Sequence, residues 1–394
     1  MRGALSWPFL RLYLLTLLYF SANAILNVMI PLKGESLGAT NTAIGIIMGA
    51  YLFTTMFFRP WAGRLIQKYG PVKVLRTIVV INGFALMLYT FSGLEGYFVA
   101  RVLQGVCTAF FSMALQLGII DALPDKDRSQ GISMYSLCSY LPGIFGPLLA
   151  LGMWQAGITW VFPAVMAAIA VGTGAAGFSA KVEGDGAAAV SVQSGQESFS
   201  TAKSFKALYK NPQLFRCSLL MLTASVVLGA VTAFVPLYAE QVKYGNAGVY
   251  LMIQAGVVVV SRFALRKKIP SDGKWRSIFI MAIMLVLTIA ALSVSFAVIG
   301  GVVFFYAGAA LMGIAQALLY PTLVTYLTFV LPQASRNVLI GLFIAAADLG
   351  VSMGGVLMGP IADRYSYSMM YSMCAIVGAS MIGFAYRRNR TQQT

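Results

Sequence analysis

Long apolar runs separated by short polar breaks set the pattern of this chain. Twelve runs, at roughly 8–30, 42–66, 74–93, 96–121, 131–153, 157–180, 213–238, 244–265, 275–297, 300–329, 335–361 and 368–386, are long enough to cross about 30 Å of hydrocarbon as helices. The pattern predicts an all-α membrane protein. Most breaks are short. The exception is the Gly/Ala/Ser/Gln-rich stretch at 181–212, which reads as a flexible cytoplasmic linker. It divides the chain into bundles of six spans, 1–180 and 213–394.

Composition sharpens this picture. Hydrophobic residues make up 59% and charged residues 10%, with a net charge of +16. A soluble domain is about 25% charged. The basic residues punctuate apolar runs and form no polar domain of their own, so the expected partner is the lipid bilayer and not nucleic acid. The first run, interrupted by Arg11, continues to Pro31, which suits a span better than a cleaved signal. Histidine is absent, which excludes Ser-His and Cys-His catalysis and most metal sites. The four cysteines, Cys107, Cys138, Cys217 and Cys374, lie in separate runs without CxxC spacing and read as small buried hydrophobes. No GxxxxGK[ST] loop is present, so no ATP site is expected. No enzyme, no cofactor and no metal site is expected, and the expected state is a monomer.

Lys and Arg orient the spans. With both termini in the cytoplasm, Lys33, Lys243 and Arg364 fall outside and Arg101 within the membrane, while the rest of the 28 basic residues lie inside. The halves also repeat. At an offset of 205, Arg11 matches Arg216, Pro31 matches Pro236 and Glu35 matches Glu240. At 203, Arg59 matches Arg262 and Gly70 matches Gly273. At 208, Gly105, Ala109, Pro124 and Arg128 match Gly313, Ala317, Pro332 and Arg336. Two six-span repeats in parallel imply a pseudo-twofold axis along the membrane normal and a cavity between the halves.

Several motifs resemble the major facilitator superfamily. GRLIQKYGPVKVL, Gly63 to Leu75, resembles its loop signature, with Gln67 standing at the acidic position. RVLQG, Arg101 to Gly105, looks like the Arg-x-x-Gln-Gly motif of proton-coupled members. GIFGP, Gly143 to Pro147, carries the Gly-Pro core of the motif associated with exporters, and GVLMGP, Gly355 to Pro360, is a second copy. SANAILNVMIPL, EGYFVARVLQGVCTAFFSMALQLGIIDALP and RKKIPSDGKW look like the staphylopine-type metallophore exporters of Gram-positive bacteria. That resemblance alone implies the cargo: a nicotianamine-like opine metallophore, moved outward. The superfamily resemblance implies that Arg59, Gly63, Gly70, Lys73, Gly146, Pro147, Gly359 and Pro360 belong to conformational motifs.

The polar residues inside the spans are the candidate site. Arg101 lies about five residues into its span, roughly 8 Å along the helix. A charge at the bilayer centre costs about 2.5–3.5 kcal/mol, so the guanidinium is expected to face the interior, although it could also snorkel outward or tie to carbonyls. Its planar fork suits carboxylates. Gln104 and Gln116 continue one polar stripe. Asn23, Asn27, Gln254, Gln316 and Tyr320 either line the route or bond neighbouring helices. Asp348 is the carboxylate deepest in a span. It reads as a proton carrier or as a packing acceptor, with Glu35 and Glu240 as weaker candidates at span ends.

Together these features predict a proton-coupled secondary-active exporter of a small anionic substrate by alternating access; the resemblance implies that this substrate is an opine metallophore, and the lack of histidine and clustered thiolates that it leaves metal-free. The alternative is multidrug efflux of amphipathic compounds, which the 12% aromatic content also fits.

Overall fold

The computed structural model describes residues 6–91, 93–123, 125–157, 160–179, 211–265, 268, 270, 273–333 and 335–386. Twelve helices within these residues are long and apolar enough to span a membrane. They are α1 (Trp7–Ser36), α2 (Asn41–Tyr69), α3 (Pro71–Phe91), α4 (Leu94–Gln116), α5 (Gln130–Gln155), α6 (Val161–Ser179), α7 (Pro212–Gln241), α8 (Ala247–Ala264), α9 (Ser277–Ser295), α10 (Ala297–Val330), α11 (Val338–Arg364) and α12 (Tyr367–Ala385). Helices dominate because every backbone N–H and C=O must be satisfied within its own segment in hydrocarbon.

Local chemistry sets where they begin and end. Thr40, Asn211, Asn246 and Ser366 accept backbone N–H bonds at the starts of α2, α7, α8 and α12. Gly70 ends α2 at φ +82°, a conformation that favours glycine. Its repeat partner Gly273 has φ +66°. α5 is broken at Leu141, just before Pro142. Helix α1 runs past the predicted Ile30 to Ser36, and α11 runs past the predicted Ile361 to Arg364, because helical hydrogen bonding continues beyond the apolar stretch. The linker expected at 181–212 lies outside the described residues except for Asn211 and Pro212.

Helices α1–α6 and α7–α12 repeat one packing scheme. α1 packs on α5 and α6 as α7 packs on α11 and α12; α2 packs on α4 as α8 packs on α10; α3 packs on α4 and α6 as α9 packs on α10 and α12. Across the two sets, α2 meets α11 and α5 meets α8, with α1 against α7. The loop between α2 and α3 and the ends it joins carry Arg64, Lys68, Lys73 and Arg76, so this side is called the basic end.

The buried residues show how the two sets meet. One continuous core runs the length of the second set and takes in the first set only away from the basic end, where Leu26, Ile44 and Ile47 join Val227, Val231 and Met358. At the basic end, Phe9, Tyr13, Ile66, Leu75, Phe111 and Leu115 form a separate core within the first set. The sets are therefore fused at one end and parted at the other.

Candidate functional site

Arg101 is fully buried, at 0% exposure. Its Nη1 donates to Asn23 Oδ1 at 2.8 Å and to Gln104 Oε1 at 3.2 Å. Its Nη2 donates to Asn27 Oδ1 at 2.8 Å and approaches Met48 Sδ at 3.5 Å. The Tyr51 ring lies 5.2 Å from the guanidinium carbon. Tyr89 Oη also donates to Gln104 Oε1, at 3.0 Å. Every one of these partners is neutral, and no carboxylate stands within ion-pair distance of Arg101 among the described residues. The cation is held by amide oxygens, an aromatic face and a thioether.

A cavity of about 210 Å³ lies between the two helix sets. Asn23 and Asn27 line it from α1, Tyr140 and Pro147 from α5, and Gln254 and Gln316 from α8 and α10. Gln254 Nε2 donates to Gln316 Oε1 at 3.2 Å, while Gln254 Oε1 is buried without a partner. Asn23, Asn27, Gln254 and Gln316 are thus brought together at the cavity wall. Arg101 and Gln104 sit behind that wall and do not line it. Gln116 is exposed toward the basic end and takes no part in the Arg101 network, which corrects the single stripe expected along α4. Tyr320 lies against Phe343, with ring centroids 5.9 Å apart, and does not line the cavity.

Two side-chain pairs bridge the sets nearer the basic end. Arg59 Nη2 on α2 lies 2.8 Å from Asp348 Oδ2 on α11. The approach is an ion pair by distance, but Asp348 Oδ2 takes no directed hydrogen bond. Arg262 on α8 donates to Tyr140 Oη on α5 at 2.8 Å and stacks on its ring at 4.3 Å. Arg59 and Arg262 are repeat partners, and Tyr140 and Asp348 stand at the offset of 208. The two bridges are therefore equivalent by the pseudo-symmetry. Asp348 pairs with Arg59 and not with Arg101. The same symmetry relates Tyr51–Thr108, joined at 3.0 Å between hydroxyls, to Gln254–Gln316.

The far end carries a contact that span-by-span reading missed. Asp363, at the end of α11, accepts from Asn41 N at 2.7 Å, Thr42 N at 2.9 Å and Thr42 Oγ1 at 2.5 Å, so it caps α2 from the other helix set. Tyr367 donates to Asn41 Oδ1 at 2.7 Å beside it. The sequence signal was an Asp one turn beyond the Gly359-Pro360 motif. Glu35 and Glu240 are exposed at this same end. Of the motif residues, Gly359 lies against Asn41 and Thr42, and Gly146 against Ala24; Gly63 faces Met113. Lys73 and Pro360 are exposed.

Comparison with known proteins places this architecture. A family model described as Major Facilitator Superfamily matches residues 12–295. The chain belongs to the major facilitator superfamily. It is 53% identical to the staphylopine export protein of Staphylococcus aureus (strain Mu50 / ATCC 700699) over 380 residues, covering 96% of this chain and 95% of that protein. An uncharacterised MFS-type transporter of Burkholderia mallei (strain SAVP1) is 21% identical over 387 residues, covering 92% and 86%. Among solved structures, a mutant of the nucleoside transporter NupG matches with a TM-score of 0.76 at 14% identity, covering 96% of this chain and 99% of that one. A bacterial homolog of the human lysosomal transporter Spinster, inward-facing and unoccupied, matches with a TM-score of 0.69 at 15% identity, covering 96% and 94%. The superfamily member described here is a multi-pass membrane transporter of a small molecule and not an enzyme.

Proposed function

We propose that this transporter is a proton-coupled exporter of a small anionic opine metallophore, nicotianamine-like and metal-free, working by alternating access. The observation that carries the reading is the Arg101 guanidinium, sealed in the bundle without a counter-ion among the described residues, directly behind a polar cavity wall. An uncompensated cation in a low-dielectric region projects positive potential over several ångströms, so it favours a ligand bearing carboxylates. The 53% identity to the staphylopine export protein supports the same substrate class. With the basic end in the cytoplasm, where the positive-inside rule puts it, both termini are cytoplasmic and the parted side of the bundle faces the cytoplasm. That is where an exporter loads. The roughly 210 Å³ cavity is smaller than the about 300 Å³ and upward of drug-sized ligand sites, so the walls separate further to admit the cargo.

Asp348 is the proton-carrying group in this reading. Protonation would release Arg59 and loosen the α2–α11 seam; deprotonation would re-form the bridge. The transporter acts as a monomer in the bilayer, with the metallophore and protons as its partners and no cofactor.

The test is metallophore measured by mass spectrometry inside and outside metal-starved cells, with and without the gene. Export predicts loss outside and accumulation inside on deletion. An unchanged distribution, together with new sensitivity to amphipathic drugs, would replace this reading with multidrug efflux.

A further inference from the structure

The contacts of Arg101 fix more than its own position. A guanidinium has N–H donors only. Asn23 and Asn27 therefore turn their carbonyl oxygens to it, each at 2.8 Å. The two asparagines are four residues apart on one face of α1, and both are partly exposed at the cavity while Arg101 is not. Their oxygens are engaged, so what they offer the cavity is their NH₂ groups. Across the cavity, Gln254 is 8% exposed, gives its NH₂ to Gln316, and keeps Oε1 unpartnered. A buried acceptor without a donor is costly, and a small turn of the Gln254 side chain into the cavity it lines would let a ligand N–H satisfy it.

We infer that the cavity is polarised, with Asn23 and Asn27 reading a substrate carboxylate through their N–H groups, Gln254 Oε1 accepting from a substrate amine, and Arg101 acting as the positioning residue that locks both asparagines. The ligand class is an amino-acid-like molecule carrying a carboxylate and an amine N–H at opposite ends. This deepens the metallophore reading and rests on it. It also changes the role of Arg101. The guanidinium does not clamp the substrate; it sets the amides and lends them positive potential. Neutral amides bind a carboxylate less tightly than a bare guanidinium would, which suits a carrier that must release its cargo on the other side.

Asn23→Asp and Asn27→Asp separate recognition from packing. An aspartate keeps the shape and gives Arg101 a better acceptor, so the fold is retained, while the N–H donors are lost. Two probes would be titrated against purified protein at neutral pH by calorimetry: the metal-free opine metallophore, and the same molecule with its carboxylates converted to primary amides. Wild-type protein should prefer the acid by about tenfold or more, the size of a charge-assisted hydrogen bond. Each Asp variant should lose most of that preference, chiefly by weaker binding of the acid. Arg101→Lys should lose it too, because an ammonium cannot reproduce the fork that holds both oxygens. Gln254→Met should weaken both probes alike and leave the ratio intact. Unchanged preference in the Asp variants, with wild-type binding of the acid, would overturn the inference and leave the metallophore reading standing. No binding of either probe to wild-type protein would overturn both.

Discussion

The seam between α2 and α11 and the seam between α5 and α8 are related by the pseudo-twofold, yet they are built differently. On the first, backbones touch. A Cβ placed on Gly45 would meet the Gly355 carbonyl, with the carbonyl carbon at 2.7 Å, and one on Gly49 would meet Ser352 O at 2.6 Å. Ser352 Oγ donates to Gly49 O at 2.7 Å, Asp363 caps α2, and Arg59 meets Asp348. On the second, the approach is looser: a Cβ at Gly143 would lie at an ordinary 3.4 Å from Ala255 and one on Gly248 at 3.1 Å from Pro147 O, and the polar bridge is a cation on a phenol. The cavity's walls include α5 and α8 beside α1, α7 and α10, and no residue of α2 or α11. One seam is closed by charge and backbone contact; the other borders the space for cargo. Alternating access does not require two equal seams. In the proposed mechanism one would serve as a proton-sensitive latch and the other as a wall that yields to substrate.

Asp348→Asn breaks this contrast most severely. Arg59 would lose its counter-ion, and the seam its titratable group. Substrate movement driven by a pH gradient in proteoliposomes should fall at least about tenfold, the rate equivalent of the ~1.4 kcal/mol or more lost when a part-buried charge is left alone. Retained gradient-driven transport would remove Asp348 from the coupling role.

Gly45→Ala tests the backbone contact. The added methyl has no room, so α2 and α11 must separate, at a cost of about 2 kcal/mol. Gly143→Ala on the sister seam should stay within about 0.5 kcal/mol. Thermal unfolding of the two variants in one detergent makes the comparison, and equal melting temperatures would mean the seams are equally tight. Tyr140→Phe comes next in size. It removes the hydrogen bond to Arg262 but keeps the ring beneath the guanidinium. The loss is about 1 kcal/mol, or roughly fivefold in transport rate, and coupling to the pH gradient should survive.

The asymmetry between the seams also marks how far the sequence could be read. Span count, helix type and the order of the repeats were legible because hydropathy and length carry them. The match of Arg59 to Arg262 was visible as an identity. Their partners were not, because Asp348 and Tyr140 differ in type although they stand at the repeat offset. Tyr51–Thr108 and Gln254–Gln316 were hidden in the same way. Arg101 was legible as an interior charge, but not which way it turns. Its burial behind Asn23 and Asn27 depends on how α4 packs across α1, which no single helix encodes. Gln116 shares the helix of Arg101 but is exposed, so spacing along one helix did not predict a shared environment. Asp363 escaped because the predicted span stopped two residues short of it.

Asp363→Asn should match Tyr140→Phe in size, and its direction is the informative part. The carboxylate accepts three bonds at the first turn of α2, where the helix dipole favours a negative charge. Asparagine keeps one acceptor oxygen and loses the charge, so the cap weakens by about 1 kcal/mol. Thr40 Oγ1 still accepts from Ala43 N at 3.2 Å, so α2 itself remains capped and folded. What weakens is the tie between helix sets at the fused end. If that end faces outward, the variant should populate the outward-open form about fivefold more than wild type. Spin-label distances between the α1–α2 and α7–α8 loops would report it as a growing long-distance component. An unchanged distribution would make Asp363 a local helix cap with no part in holding the outer side shut, and the α2–α11 seam would then owe its closure to the close contacts of Gly45, Gly49 and Gly355, the Ser352–Gly49 hydrogen bond and the Arg59–Asp348 pair.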